Sequence, residues 1–183
     1  LLIYFTNPNT ISLLKKSQQS GKAIDIEIKE NIIVDKSRKT HSYEAALITS
    51  FIREHLLKKS ISFSFESVMS HESKLDEIKD AKMLGYKIYL YFICLDSPQV
   101  NISRVKNRVL KGGHDVDHQK IITRYHNTLE NLLLALKLSD RAYLFDNSND
   151  MILIAELDDK ELKIKIDSEK FPNWFTEYVI NKI

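Results

Sequence analysis

The chain has 183 residues, 43% of them hydrophobic, enough for one domain with a substantial core and too few for two to be expected. Charged residues make up 28% and nearly cancel, leaving a net charge of +2. That excludes a disordered chain and a wholly basic protein built to coat nucleic acid. There are only four glycines, Gly21, Gly85, Gly112 and Gly113, against about 7% of residues in an average protein. Gly-rich repeats are excluded, and no stretch spells the phosphate loops G-x-x-x-x-G-K-S/T or G-x-G-x-x-G.

Residues 1–5 are a continuous apolar run closed by Asn7, Pro8 and Asn9, and read as a short buried strand. Residues 10–22 are polar, with a helix suggested by Ile11, Leu13 and Leu14. Strict alternation over residues 23–28 predicts a half-buried strand, and residues 31–38 a loop or short strand. Tyr43, Ala46, Leu47, Phe51 and Leu57 recur at helical spacing behind the N-cap candidate Ser42, with Glu44 in the first turn. Residues 61–65 alternate again and predict a strand. Ser73 and Asp76 have the spacing of a capping box, opening a helix that Gly85 ends.

Residues 86–94 are apolar on both faces, which predicts a strand covered by helices on both sides. Ser97 is the next N-cap candidate, with Pro98 at the first helical position. That helix stops at Gly112 and Gly113, and another runs from Asp117 to Ser139. A strand from Arg141 to Asp146 ends in a polar turn over residues 146–150. Residues 152–157 and 162–166 flank Asp158, Asp159 and Lys160 as a hairpin, and residues 171–180 read as a terminal amphipathic helix. The order predicts one α/β domain over residues 1–183, a three-layer sandwich around a mainly parallel sheet. A helical lid would span residues 98–139, and the hairpin and last helix residues 151–183. A ligand in such a fold sits at the carboxyl ends of the strands.

Glu66 and Ser67 directly follow the expected strand 61–65, where a carboxylate can hold a sugar or nucleoside hydroxyl or can simply be a surface group. Asp25 can accept a proton from an attacking hydroxyl; it also shares a face with Glu27, as an outward-facing residue of an alternating strand would. Between Asn101 and Tyr125 stand Arg104, Lys106, Arg108, Lys111, Lys120 and Arg124 against only Asp115 and Asp117. Arg104 and Arg108 are four apart, on one helix face. Two Arg-bearing helices joined by a glycine hinge suit a lid over phosphates, because guanidinium groups grip phosphoryl oxygens in pairs. The plain alternative is a solvated basic helix pair.

The lone Cys94, set in an apolar run, reads as a buried inert thiol and excludes an internal disulfide. No His/Cys set has zinc spacing, and the six histidines form no nucleophile–base pair. No apolar run reaches the roughly 18–20 residues of a membrane span, and residues 1–5 are too short for a signal-peptide core. A soluble cytoplasmic protein is expected. The first residue is Leu rather than Met, so native residues are expected before it.

Several segments together carry a family resemblance. They are residues 63–69 (FSFESVM), residues 81–86 (AKMLGY), the strand up to Cys94, and Ser97 with Pro98. The element R-V-x-x-G-G-H-x-V runs from Arg108 to Val116. I-x-x-R-Y follows at residues 121–125 and D-N-S at residues 146–148. In this order they resemble the zeta-toxin-like P-loop kinases, over about residues 40–150. The resemblance implies a P-loop kinase fold and transfer of the γ-phosphoryl of ATP, or GTP, with Mg²⁺. It also implies an acceptor hydroxyl such as that of UDP-N-acetylglucosamine and a toxin held by an antitoxin protein. Phe65, Glu66 and Ser67 match the segment lining the sugar-nucleotide pocket. Arg108 and Arg124 match the lid arginines, with Arg104 as a neighbour. Asp146, Asn147 and Ser148 match a segment near the nucleotide base, and Asp25 is the nearest match to the general base.

The departure lies in the phosphate loop. The family's first strand runs into G-P-N-G-x-G-K-S/T; here Pro8 and Asn9 match, and the glycines, the lysine and the terminal hydroxyl do not. Those glycines let backbone N–H groups cradle phosphates, while the lysine reaches the β- and γ-phosphates. Three explanations compete. The loop is degenerate, a stretch is missing between Phe5 and Ala23, or Lys15 or Lys16 substitutes from a rearranged loop beside Asn9. The functions that follow are a phosphotransferase, a catalytically impaired nucleotide- or protein-binding module, and a nucleic-acid end kinase using the basic segment as a phosphate track.

Overall fold

A computed structural model describes residues 8–22, 24–30, 32–36 and 42–183, which group into two compact units, Leu1–Phe65 and Glu66–Ile183. The expected strand at residues 1–5 lies outside the described residues.

In the first unit, helix α1 (Pro8–Gln19) opens on a proline, whose fixed φ suits a first helical turn. Gly21, at φ 69°, closes it: the Gly21 N–H donates to Gln18 O and the Lys22 N–H to Ser17 O, a Schellman ending. Strands β1 (Ile26–Lys29) and β2 (Ile32–Asp35) pair antiparallel, Ile26 opposite Asp35. They form a sheet of their own rather than the parallel strands expected, because two residues between them leave room only for a reversal. Helix α2 (Ser42–Lys58) packs against α1 and buries Leu47. Residues 61–65, expected as a strand, are irregular. Alternation alone does not supply a hydrogen-bonding neighbour. The Phe63 and Phe65 rings stack instead at 6.1 Å, and the Arg53 guanidinium lies 4.9 Å over Phe65.

The second unit contains α3 (Ser73–Met83), β3 (Tyr89–Cys94), α4 (Pro98–Leu110), α5 (His118–Leu138), β4 (Arg141–Asp146), β5 (Ile152–Asp158), β6 (Glu161–Ile164) and α6 (Asn173–Tyr178). The sheet runs β3-β4-β5-β6. Only β3 and β4 are parallel; the other two pairings are antiparallel. The described sheet is therefore mixed α/β rather than mainly parallel. The reversal between β5 and β6 is local. Asp159 and Lys160 sit at φ 48° and 66°, the paired positive φ of a two-residue hairpin turn.

One face of this sheet carries the core. Phe92, Cys94, Leu144, Ile154 and Ala155 pack against Leu75 of α3, Leu129, Leu132 and Leu136 of α5, and Trp174, Phe175 and Tyr178 of α6. Trp174 and Phe175 are fully buried, with ring centroids 5.7 Å apart. Burying each side chain of this size contributes roughly 1.5–3 kcal/mol. The other face departs from the expected double cover: Tyr89, Tyr91 and Ile93 are 57%, 65% and 55% exposed, and Tyr91 stacks on Tyr143 at 5.0 Å. The three helices of this unit that reach the core, α3, α5 and α6, all pack on the opposite, inner face.

The helix ends divide between expectation and correction. Asp117 caps α5 by accepting from the Lys120 N–H at 3.0 Å. Ser97 precedes Pro98 as the N-cap of α4, without a side-chain bond. The Ser73–Asp76 capping box does not form. Glu72 already has helical backbone angles and occupies the cap, putting Ser73 inside the helix. Gly85, at φ 84°, ends α3 as expected. The last helix is only six residues, flanked by short 3-10 turns at Ser168–Lys170 and Ile180–Lys182.

Candidate functional site

Helix α5 builds the centre of the second unit's site. Its face at Ile121, Tyr125 and Leu129 turns inward because those positions recur at helical spacing, and Arg124 and Thr128 ride beside them. Three polar groups of this helix then anchor neighbouring chain. The Tyr125 hydroxyl donates to Leu95 O at 2.8 Å, Thr128 Oγ1 to Val68 O at 2.7 Å, and Asn131 Nδ2 to Met69 O at 2.9 Å. The last two hold the turn of residues 67–69, where Met69 is buried at φ 56°. Ser67 Oγ accepts from the Met69 N–H at 3.1 Å and closes that turn. A non-glycine residue in the left-handed region costs of order 1–2 kcal/mol, which these bonds and the burial of Met69 offset.

Helix α4 supplies the second wall. Asn101, Val105 and Arg108 share a face, and with Ser67, the free edge of β3 and the α5 residues they line an open cavity of about 350 Å³. Among the described residues β3 is paired only on its β4 side. The floor is apolar, with Val68, Ile93, Val105, Val116 and Ile121. Among the described residues its charged groups are Arg108 and Arg124, and no carboxylate lines it. An apolar cavity lined by two arginines suits an anionic ligand with an apolar or aromatic body.

The sequence-selected residues separate. Arg108, Arg124 and Ser67 share the cavity. Arg104 shares the α4 face of Arg108, as their spacing implies, but does not line this cavity. Its Nη2 donates to Asn147 O at 2.5 Å, and the two arginines together border a shallow hollow of about 470 Å³ over the α4 end, with Asn107, Lys111, Gly112 and Gly113. Glu66 is exposed and does not line the cavity.

Asp146, Asn147 and Ser148 form a structural knot. The Asp146 carboxylate accepts from the Ser148 N–H at 2.9 Å, the Ser148 hydroxyl at 3.1 Å and Trp174 Nε1 at 2.9 Å. The Asn147 N–H donates to Cys94 O at 2.8 Å, extending the β3–β4 ladder. Ser148 Oγ accepts from the Asp96 N–H at 2.7 Å, and Asp96 in turn accepts from the Asn173 N–H at 2.9 Å at the start of α6. Asp96, Thr128, Asn131 and Trp174 were not singled out by sequence. The partners described here, Ser148 and Asn173 for Asp96, Val68 for Thr128, Met69 for Asn131 and Asp146 for Trp174, are 28 to 77 residues distant, and no local signal marks such bonds.

The remaining selected residues belong to the first unit. Asn9 is in the first turn of α1, and Lys15 and Lys16 are exposed residues further along the same helix. The rearranged loop expected to present these lysines is helix from Pro8 onward. Asp25 is exposed and precedes β1 instead of lying in it; its carbonyl accepts from the Lys36 N–H at 2.8 Å, and Lys36 ion-pairs with Glu27.

Burial pushes the Cys94 thiol up to about 12 and raises Tyr125 well above the ordinary phenol range. Cys94 is therefore no nucleophile at neutral pH, as its apolar setting implied. Among the described residues no three His, Cys, Asp or Glu side chains are placed to hold a metal ion. No helix among them is long and apolar enough to cross a membrane.

No protein-family model matches the chain, and no solved structure matches it. Among curated proteins, an uncharacterized protein of Haemophilus influenzae (strain ATCC 51907 / DSM 11121 / KW20 / Rd) is 33% identical over 69 residues, covering 38% of this chain and 49% of that protein. The match thus spans about half the length of that relative.

Proposed function

We propose that the chain is a zeta-toxin-like phosphotransferase of P-loop kinase type that acts on a small-molecule hydroxyl, with ATP or GTP as donor. The observation that carries this reading is that Arg108 and Arg124 line one cavity with Ser67, with no carboxylate among its described lining residues. Guanidinium groups in that position bind phosphoryl oxygens in the ground state and offset the charge that builds on them during transfer. In this reading the apolar floor takes the non-phosphate part of the ligand, and Ser67, which lines the same cavity, binds an acceptor such as UDP-N-acetylglucosamine.

Asp25 is the residue to test as general base. Among the described residues no carboxylate lines this cavity to hold the Mg²⁺ that such kinases use. The test is transfer of label from γ-labelled ATP to UDP-N-acetylglucosamine and other nucleotide sugars. A labelled acceptor formed by the wild type and lost in Arg124→Ala supports the reading.

A second reading has its own support. Residues 6–14 do not spell a phosphate loop, and without one both nucleotide affinity and turnover fall, leaving a binding module on the same fold. Calorimetric binding of nucleotide with no labelled product would favour a binding module. Short oligonucleotides labelled at one end would mark a nucleic-acid kinase instead.

A further inference from the structure

The two adjacent glycines at the end of α4 have different physical reasons. Gly112 stands at φ 85°, and nothing lies within 4 Å of where its Cβ would be. It is required by backbone conformation. Gly113 is required by space. A Cβ there would lie 2.6 Å from Arg108 Cγ, 3.2 Å from Arg108 Cδ and 3.0 Å from the Arg108 carbonyl oxygen.

We propose that Gly113 is a positioning residue for Arg108, keeping its guanidinium at the cavity; this rests on the phosphate-binding reading of that cavity. The turn brings the Gly113 N–H onto Arg108 O at 3.0 Å, directly beneath the side chain. The aliphatic stem of Arg108 runs over the bare Cα of Gly113, and its Nη2 ends on His114 O at 2.8 Å. That bond uses one of five donors and orients the planar group. The obstructed atom is Cγ, next to the backbone, so a methyl at position 113 cannot be avoided by bending the side-chain tip. Arg108 must change its χ1 rotamer, which swings the guanidinium off His114 O.

The experiment is calorimetric titration of the full chain with inorganic pyrophosphate, comparing wild type, Arg108→Ala, Arg124→Ala, Gly113→Ala and the Arg108→Ala/Gly113→Ala double variant. Loss of a charge-assisted contact weakens binding about 10- to 100-fold. The expected result is that Gly113→Ala weakens pyrophosphate nearly as much as Arg108→Ala, and that the double variant is no weaker than Arg108→Ala alone. Wild-type affinity in Gly113→Ala beside weakened Arg108→Ala overturns the positioning role and leaves the phosphate reading intact. Wild-type affinity in both arginine variants overturns the reading and this inference with it. A measurement on the wild type stands independently of whether Gly113→Ala folds. The side-chain Nε–H resonance of Arg108, assigned by its absence in Arg108→Lys, should show slowed guanidinium rotation. A freely averaged signal contradicts the held geometry.

Discussion

Cys94 and Tyr125 meet at the Leu95 carbonyl, with Sγ at 3.3 Å and the phenol oxygen at 2.8 Å, and burial keeps both protons in place. Native protein should therefore leave Cys94 unreacted with a disulfide reagent at pH 8 and release one thiol on unfolding; rapid native reaction would contradict the burial. Asp140 behaves oppositely. The Ile88 N–H donates to its carboxylate at 2.7 Å, with Lys82 and Lys87 beside it, and its pKa falls below the ordinary value. A lowered folded pKa means stability that is present above the unfolded value, about 3.9, and lost as pH falls through the folded one. Asp140→Asn should lower Tm at pH 6, and the gap to wild type should close as pH drops below about 4. Arg108 and Arg124 were legible because their helices and the glycine break between them are local patterns. The diversion of Arg104 to Asn147 was not, since its partner lies 43 residues away.

Among the elements, helices α2 to α5 and the β5–β6 hairpin were legible from periodicity, capping and turn residues. The hairpin turn uses Asp159 and Lys160 where positive φ favours Asn and Gly. Asp159→Asn with Lys160→Gly should raise stability by about 1 kcal/mol in urea unfolding; no gain would mean the turn conformation differs. The Asp146 knot tells the reverse story. Its residues resemble a nucleotide-binding segment, yet the carboxylate is occupied by Ser148 and Trp174. Trp174→Phe keeps the ring and removes the N–H, so it should cost roughly 1.5–3 kcal/mol, the scale of a hydrogen bond to a charged group, with pyrophosphate affinity unchanged. Loss of affinity without loss of stability would return Asp146 to the site. The strand expected at residues 61–65 failed for a related reason: pairing is a property of the neighbour, which a single strand's alternation does not contain.

At the scale of the whole molecule, the apolar β3 was legible as a strand, but not which of its faces a helix would cover. The core of Glu66–Ile183 is built from helices α3, α5 and α6, strands β3 to β5 and the turn at Met69, so the arginine cavity is framed by elements that pack on one another. Its two guanidinium groups stand out in a chain of net charge +2, which makes local placement, not overall charge, the source of any phosphate affinity. The shortage of glycine that excludes an intact phosphate loop bears on turnover more than on this cavity. Transfer of label from γ-labelled ATP to UDP-N-acetylglucosamine decides the matter most directly. The account predicts a labelled nucleotide sugar with the wild type and a loss of at least about tenfold in Arg124→Ala. No labelled product from any nucleotide-sugar acceptor, with pyrophosphate affinity unaltered in Arg124→Ala, would contradict it.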